Sequence, residues 1–206
     1  MQRKSRAPIG SWVLAGGAAV LLAAACASGP QNLVVTIPAY VAGATAAAGA
    51  RGTVRLDPAK DARRESVGAL VGERTTVGNV SLGSVQTNPP PVTLVTGVIR
   101  SELGAMGFGV GDTGDTPRVS AQLVKFQIAT PATALYWDIN GEIELDLAAT
   151  GKDRRKHETH YAVQCTGRTY AWPGEEVIGG VIVSCLKELG GKVRSDTALG
   201  DTLGAG

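Results

Sequence analysis

A long stretch of alternating apolar and polar residues near the middle of the chain limits the fold more than any other feature. From residue 139 to 147 every second position is apolar or glycine, and the positions between them are polar or acidic. Successive side chains of a strand point to opposite faces, so this pattern predicts a strand with one buried and one exposed face. After a polar loop at residues 150–156, residues 157–170 predict a second strand of the same kind.

The two strands predict an antiparallel hairpin folded about Asp153. One register makes both faces chemically sensible, whereas a shift by one residue would exchange the faces. On the buried face this register pairs Leu145 with Tyr161, Ile143 with Val163 and Gly141 with Cys165. On the exposed face it pairs Asp146 with His160 and Asp138 with Arg168.

The elements around the hairpin predict helices on one side of this sheet. Residues 91–106 have one apolar face and end before Gly107, which suits a helix with a glycine C-cap. Residues 173–189 predict a second helix ending at Gly190 and Gly191, and residues 118–129 predict a strand with a bulge near Leu123. We therefore expect an α/β (α+β) two-layer sandwich, a mostly antiparallel sheet with two helices on one face.

The start of the chain has the composition of a bacterial secretory signal. Arg3, Lys4 and Arg6 form a positive region, and residues 9–25 are uncharged and rich in Ala, Leu, Val and Gly before Cys26. We expect cleavage before Cys26. A retained membrane-spanning helix is the alternative, since the apolar run approaches the ~20 residues that a span needs.

The residues before Cys26 resemble the lipobox of bacterial lipoproteins, although Ala23 stands where that motif more often has Leu. The resemblance implies a covalent diacylglyceryl group and an N-acyl chain, such as palmitate, on Cys26, and no other cofactor. Ala27, rather than Asp, follows the cysteine, which by analogy with enteric bacteria favours the inner leaflet of the outer membrane, facing the periplasm. An ordinary signal peptide with a chance cysteine remains the alternative.

Cleavage also changes the charge. Without the leader the chain keeps 17 basic and 18 acidic residues, so no net positive field would attract nucleic acid. The expected organisation is a signal peptide at residues 1–25, a lipidated N-terminus and Ala/Gly-rich tether at 26–52, one periplasmic domain at 53–194 and a disordered tail at 195–206. Residues 33–37 are the part of the tether that could dock as an edge strand.

Two cysteines remain inside the predicted domain. Cys165 falls on the buried face of its strand and Cys185 on the buried face of the last helix. In an oxidising compartment this pair predicts a disulfide between sheet and helix, and two buried free thiols are the alternative.

The search for catalytic, metal and nucleotide sites favours a protein that is not an enzyme. Residues 109–114 match G-x-G-x-x-G, but they follow a helix and precede a strand, the reverse of a dinucleotide site, so no nucleotide is expected. His157 and His160 lie three apart on a strand and point to opposite faces, so no metal site is expected. Glu142, Glu144 and Asp146 form an acidic stripe, most simply a solvated face.

Two groups of residues could contact a partner. Tyr136 and Trp137, with Trp172, lie near strand ends, and aromatic residues are enriched at interfaces, although core packing explains them equally well. Arg154 and Arg155 lie in a basic hairpin tip that could touch lipid headgroups or an anionic polymer.

Several motifs together resemble a known family. They are the lipobox, Asp61-Ala-Arg63 after the first strand of the domain, the helix ending Met106-Gly-Phe108, the strands Ile143-Glu-Leu-Asp-Leu and Tyr161-Ala-Val, and the Val-rich last helix. Across residues 33–194 the chain resembles the YajG-type bacterial lipoproteins, and more distantly the auxiliary lipoproteins of envelope ABC transporters and activators of cell-wall synthases. Cys165 and Cys185 are not part of the family pattern, and the family offers no catalytic residue.

Two functions follow as hypotheses. The first is a membrane-anchored, non-enzymatic adaptor or accessory subunit for an unidentified envelope protein, bound through the open sheet face or an edge strand. The second is a carrier that holds a lipid or glycan in a pocket between sheet and helices.

Overall fold

The computed structural model describes residues 31–43, 50–64, 68–111 and 116–204. Its strands are β1 (Leu33–Thr36), β2 (Thr53–Leu56), β3 (Lys60–Asp61), β4 (Leu70–Thr75), β5 (Ser81–Asn88), β6 (Gly109–Val110), β7 (Arg118–Thr130), β8 (Trp137–Thr150) and β9 (Lys156–Thr169). Its helices are α1 (Pro91–Ala105), α2 (Glu175–Ser195) and α3 (Thr197–Gly204).

The sheet is mixed and is built around β7 and β8. β8 is antiparallel to β7 on one side and to β9 on the other. The second edge of β7 is shared along its length by β2, β3 and β4, all parallel to it. β5 is antiparallel to β4, and β1 is parallel to β5 at the far edge of the sheet. The predicted α/β two-layer sandwich is confirmed.

The predicted hairpin is confirmed in its register. Every pairing expected from the alternation occurs between β8 and β9, on both faces. The bulge in β7 also lies where it was expected, between Leu123 and Lys125, and it brings the two apolar runs of this strand onto the same buried face.

The first helix ends as predicted, but the second continues further. Gly107 follows α1 with φ 93°, the left-handed conformation that suits a glycine cap. The prediction that Gly190 and Gly191 end α2 was wrong, because the helix runs to Ser195. Gly190 is instead buried where another part of the chain approaches the helix closely, with the Tyr40 hydroxyl only 2.2 Å from the place of a Cβ atom.

The C-terminal prediction also needs correction. The segment expected to be a disordered tail continues α2 and then forms α3, with Leu199 and Leu203 buried in the core. These leucines lie four residues apart, so one face of this short helix is apolar and packs against the sheet.

Residues 31–43 of the predicted tether belong to the fold. The expectation that residues 33–37 dock as an edge strand is confirmed by β1, whose Val35 is fully buried. The chain then follows the helices, and the backbone amide of Ala42 donates to Ser101 of α1 at 2.8 Å. Residues 44–49 of the tether, like the signal sequence and Cys26, lie outside the described residues.

The core fills the space between sheet and helices. Ile139, Ile143 and Leu145 on β8 are buried with Ile178, Ile182 and Leu186 on α2. Because these side chains are almost completely excluded from solvent, the two layers are in direct apolar contact.

Candidate functional site

The open sheet face is the polar surface of β7, β8 and β9 on the side away from the helices. Its acidic stripe is paired with neighbouring strands. Lys125 Nζ lies 2.7 Å from Glu142, and His160 Nδ1 lies 2.7 Å from Asp146. The hydrogen bond from Lys125 lowers the pKa of Glu142 below its usual range. Two of the three carboxylates therefore have cross-strand partners; the hairpin register predicted the pair Asp146–His160, but not the pair Lys125–Glu142.

A shallow concavity lies on this open face and not between the layers. It has a volume of about 430 Å³ and is lined by side chains of three strands, among them Gln122, Asp146 and His160. Its lining is mixed polar and apolar, so it differs from the apolar cavity that a lipid carrier between sheet and helices would need.

The four residues expected to contact a partner lie at opposite ends of the domain. Tyr136 and Trp137 are half-buried at the start of β8. Arg154 and Arg155 are exposed in the turn after the end of the same strand. β8 has 14 residues, so the two pairs are separated by roughly 45 Å of strand. They cannot form one contact surface.

The aromatic pair belongs to a larger group of rings. The Tyr136 and Tyr170 ring centroids are 6.1 Å apart, and those of Trp137 and Trp172 are also 6.1 Å apart. The guanidinium of Arg168 lies 3.9 Å from the centre of the Tyr136 ring, a cation–π contact. In these contacts Tyr136 and Trp137 support the more exposed rings that follow β9.

The two histidines point to opposite faces of β9, as predicted. His160 is on the open face, whereas His157 Nε2 lies 2.9 Å from Asp196 Oδ2 on the helical side. Within the described parts of the chain, no group of three His, Cys, Asp or Glu side chains is placed to hold a metal ion.

Asp196 links β9 to the start of α3, a role that the sequence analysis missed. The Tyr161 hydroxyl donates to Asp196 at 2.7 Å, and the backbone amide of Leu199 donates to it at 2.9 Å, the N-cap bond of α3. Burial raises the pKa of this carboxyl, but the hydrogen bonds outweigh burial and hold its pKa below the ordinary value. The Asp196 carboxylate thereby docks the C-terminal helix on the sheet.

Glu102 is a fully buried carboxylate that the sequence analysis did not single out. Arg194 of α2 donates two hydrogen bonds to it, at 2.6 and 3.0 Å, and the Tyr40 hydroxyl donates a third. Burial, together with Glu102, raises the pKa of Tyr40 to about 12. This network joins α1, α2 and the N-terminal segment, so its role is structural.

The Asp61-Ala-Arg63 motif is a local clasp. Arg63 forms an ion pair with Asp61 at 2.7 Å and donates to the carbonyls of Gly68 and Leu70, each at 2.7 Å. Its side chain is almost completely buried, so the motif closes the loop between β3 and β4 and presents no free group to a ligand.

The predicted disulfide is absent. Cys165 and Cys185 do lie together, on the elements expected, but both are free thiols. The thiols hydrogen-bond each other, and Cys165 Sγ also lies 3.8 Å from Glu188 Oε2. Burial raises the pKa of both groups, so the neutral thiol is favoured over the thiolate.

Within the described residues, no helix combines the length and the apolar composition needed to cross a bilayer. Cys26, the predicted lipid site, lies before these residues, as does the alternative anchor helix.

Comparison with known proteins places the fold but not a family. No family model and no curated protein matches the sequence. Among solved structures, the chain is similar to a Xanthomonas campestris protein described by the family model DUF330, with a TM-score of 0.57 and 12% identity over 81% of this chain and 95% of that chain.

Weaker structural similarities involve two other solved proteins. One is an uncharacterised protein, with a TM-score of 0.48 and 9% identity over 81% of this chain and 99% of that one. The other is a minor lipoprotein of Acinetobacter baumannii, with a TM-score of 0.41 and 5% identity over 71% of this chain and 91% of that one. The chain therefore shares its fold with the Xanthomonas campestris protein described by DUF330.

Proposed function

We propose that this protein is a non-enzymatic envelope lipoprotein that acts as an adaptor for another envelope protein, which it binds through the open sheet face. The uncovered face of β7, β8 and β9 supports this proposal most directly. These strands have 13 or 14 residues each, and the helices α1, α2 and α3 all pack on their other side. A broad polar sheet face of this kind suits a protein partner better than a small molecule.

β9 adds a second means of contact. In the part of the chain that the structure describes, β9 pairs with β8 alone, so its other edge can accept a strand from a partner. Lys192 of α2 covers one position of this edge, where its ammonium donates to the carbonyl of Ala162 at 2.6 Å. Arg154 and Arg155 are at the far end of the same hairpin and extend the contact surface there.

The anchor in this proposal is a diacylglyceryl and N-acyl lipid on Cys26. Three acyl chains hold a protein permanently on a membrane, because each buried methylene adds ~0.8 kcal/mol. The residue after Cys26 is Ala27, which is the basis for proposing the periplasmic face of the outer membrane.

Crosslinking in living cells tests the adaptor role. A photoreactive residue at Gln164, exposed on the open face, should give a crosslink to one specific envelope protein. The matched control is the same residue at Lys187, exposed on the solvent side of α2. If both positions give the same products, or Gln164 gives none, the open face is not the binding surface.

Metabolic labelling tests the anchor independently. The protein should incorporate palmitate and fractionate with the outer membrane, and Cys26→Ser should abolish both. An unlabelled wild-type protein would contradict lipidation at Cys26, whatever the crosslinking shows.

A further inference from the structure

The exposed apolar side chains of the domain are concentrated at one end. Among the described residues, five of the seven exposed large apolar side chains lie in the β4–β5, β7–β8 and β9–α2 connections. We call this surface the apolar end; it consists of Val77, Val80, Leu135, Tyr170 and Trp172, which are between 53% and 77% exposed. The turn at the other end of β8 is charged, so the two ends of the sheet differ in polarity.

The three connections of the apolar end are adjacent to one another. Ring contacts join the β7–β8 loop to the segment after β9, through Tyr136 and Tyr170. The backbone amide of Thr75 donates to Thr130 Oγ1 at 3.3 Å, which joins the β4–β5 hairpin to the start of the β7–β8 loop. The five side chains therefore belong to one continuous end of the sheet.

The described chain also begins at this end. The backbone amide of Gln31 donates to Leu82 at 2.9 Å, beside the β4–β5 hairpin. The carbonyl of Gln31 accepts a hydrogen bond from Arg74, whose guanidinium carbon lies 5.6 Å from the centre of the Trp172 ring. A Cβ atom at Gly83 would lie 2.1 Å from the Gln31 carbonyl oxygen, so the backbone of Gln31 packs directly against Gly83.

The distance from Gln31 to the predicted lipid is short. Only five peptide links separate Gln31 from Cys26. Even fully extended they span at most about 18 Å, because a residue contributes no more than ~3.6 Å. A lipid on Cys26 therefore holds the apolar end, and not the charged turn, against the bilayer.

The composition of the apolar end fits a membrane–water interface. Trp and Tyr are enriched at headgroup depth, where their rings meet apolar chains and their polar atoms meet water. Charges of both signs lie nearby, since Arg168 forms an ion pair with Asp138 at 2.8 Å and Glu73 is next to Arg74 in β4. The attraction is therefore mainly apolar, and binding should depend little on anionic lipid or salt.

We propose that the apolar end is a membrane-contact surface whose side chains enter the headgroup region of the bilayer that holds the lipid on Cys26. In this orientation the strands β7, β8 and β9 project away from the membrane, and the turn with Arg154 and Arg155 is the part furthest from it. This inference rests on the lipid anchor of the proposed function.

Fluorescence quenching in vesicles tests the proposal on the full lipidated protein. After removal of the leader, Trp137 and Trp172 are the tryptophans that remain. The protein is reconstituted in phosphatidylethanolamine vesicles with phospholipids brominated at shallow or deep positions of the acyl chain. We expect shallow bromines to quench Trp172, with a blue shift of emission, and Trp172→Phe to lose this quenching. Replacing part of the lipid by phosphatidylglycerol, or adding salt, should change the result little.

The matched control moves the tryptophan to the opposite end. In Trp137→Phe/Trp172→Phe/Lys152→Trp the single remaining indole lies in the charged turn, and bromines at either depth should leave it unquenched. Equal quenching of both positions would overturn the proposed orientation. Quenching that disappears while Val80→Cys forms disulfide-linked dimers would assign the apolar end to a second copy instead.

The mass of the N-terminal peptide shows whether Cys26 carries a lipid, and so tests the anchor separately from the membrane contact of the apolar end. A lipid on Cys26 without quenching of Trp172 would overturn the membrane contact and leave the anchor intact. An unmodified Cys26 would overturn both, since the geometric argument starts from that lipid.

Discussion

Glu102 illustrates at the scale of single residues how this fold holds a charge in its core. Its carboxylate is completely buried, whereas the Arg194 side chain that pairs with it is 34% exposed. The two partners are therefore unequal. If Arg194 is lost, a carboxylate remains in the core without its counter-charge, but if Glu102 is lost, the guanidinium can still reach water.

This asymmetry gives a prediction for the two partners. Arg194→Met should lower the free energy of unfolding by about 3 kcal/mol, and Glu102→Gln by about 1 kcal/mol, since only the first variant strands a buried charge. Urea denaturation of both variants measures the difference, with Lys187→Met as the control on an exposed position of α2. A larger loss for Glu102→Gln than for Arg194→Met would contradict this account.

Neighbouring glycines in α2 allow a second prediction. A Cβ atom at Gly190 would lie 2.2 Å from the Tyr40 hydroxyl and 2.6 Å from Glu102 Oε1, whereas at Gly191 nothing lies within 4 Å. Gly190→Ala should destabilise the protein by about 2 kcal/mol through overpacking. Gly191→Ala should stabilise it by roughly 0.5 kcal/mol through the better helix propensity of alanine.

Thermal unfolding of the two variants should therefore shift in opposite directions. Equal shifts would mean that Tyr40 does not pack against Gly190, and that the N-terminal segment is not fixed on the helices in the way described.

Sequence reasoning found the apolar positions but not the residues that break their pattern. Glu102 lies in the stripe of α1 between Ile99 and Met106, which could have marked it as buried. Its partner Arg194 comes from a helix that had been predicted to end at the glycines. The spacing of a single helix cannot reveal a carboxylate whose counter-charge is 92 residues away.

At the scale of elements, α3 depends on one carboxylate for its docking. Asp196 caps the helix and also accepts from Tyr161 of β9, and its pKa is lowered in the folded state. Because the folded-state pKa is below the unfolded value, this contribution to stability is complete above about pH 4. It is lost as the pH falls through the folded-state pKa.

The third prediction concerns this acid dependence. Asp196→Asn should cost roughly 1–2 kcal/mol at pH 7 and should lose less stability than wild type when the pH is lowered from 5 to 3. Denaturation at several pH values measures both effects, and Asp201→Asn, exposed on the same helix, is the control. Parallel pH profiles for wild type and Asp196→Asn would contradict the role of this carboxylate.

An element could be predicted from the sequence when the residues that define it are close together in the chain and follow a clear pattern. The β8–β9 hairpin was predicted in register because its two strands are adjacent in sequence and each alternates strictly. α3 was missed because it has only eight residues, two of them glycine, and its apolar face consists of Leu199 and Leu203. The Asp196 cap and the four-residue spacing of the leucines were the available signals.

At the scale of the whole molecule, the parallel pairing of strands with β7 could not be predicted from the sequence. β2, β3 and β4 are short, and each pairs with β7 after a gap of many residues, so no turn fixes their register. The pairing of β4 with the end of β7 still matters for the proposed membrane contact, because it places the β4–β5 connection at the apolar end. Loop composition alone could not show that Val80, Leu135 and Trp172 come from three separate connections at one end.

The place of β1 at the edge of the sheet has a mechanical consequence. Residues Leu33–Thr36 run parallel to β5, and they follow Cys26 closely in the sequence. A force that pulls the domain away from a lipid on Cys26 acts along this strand, so the bonds between β1 and β5 bear the load together in shear instead of opening one after another. The short ladder would thus resist detachment as a unit.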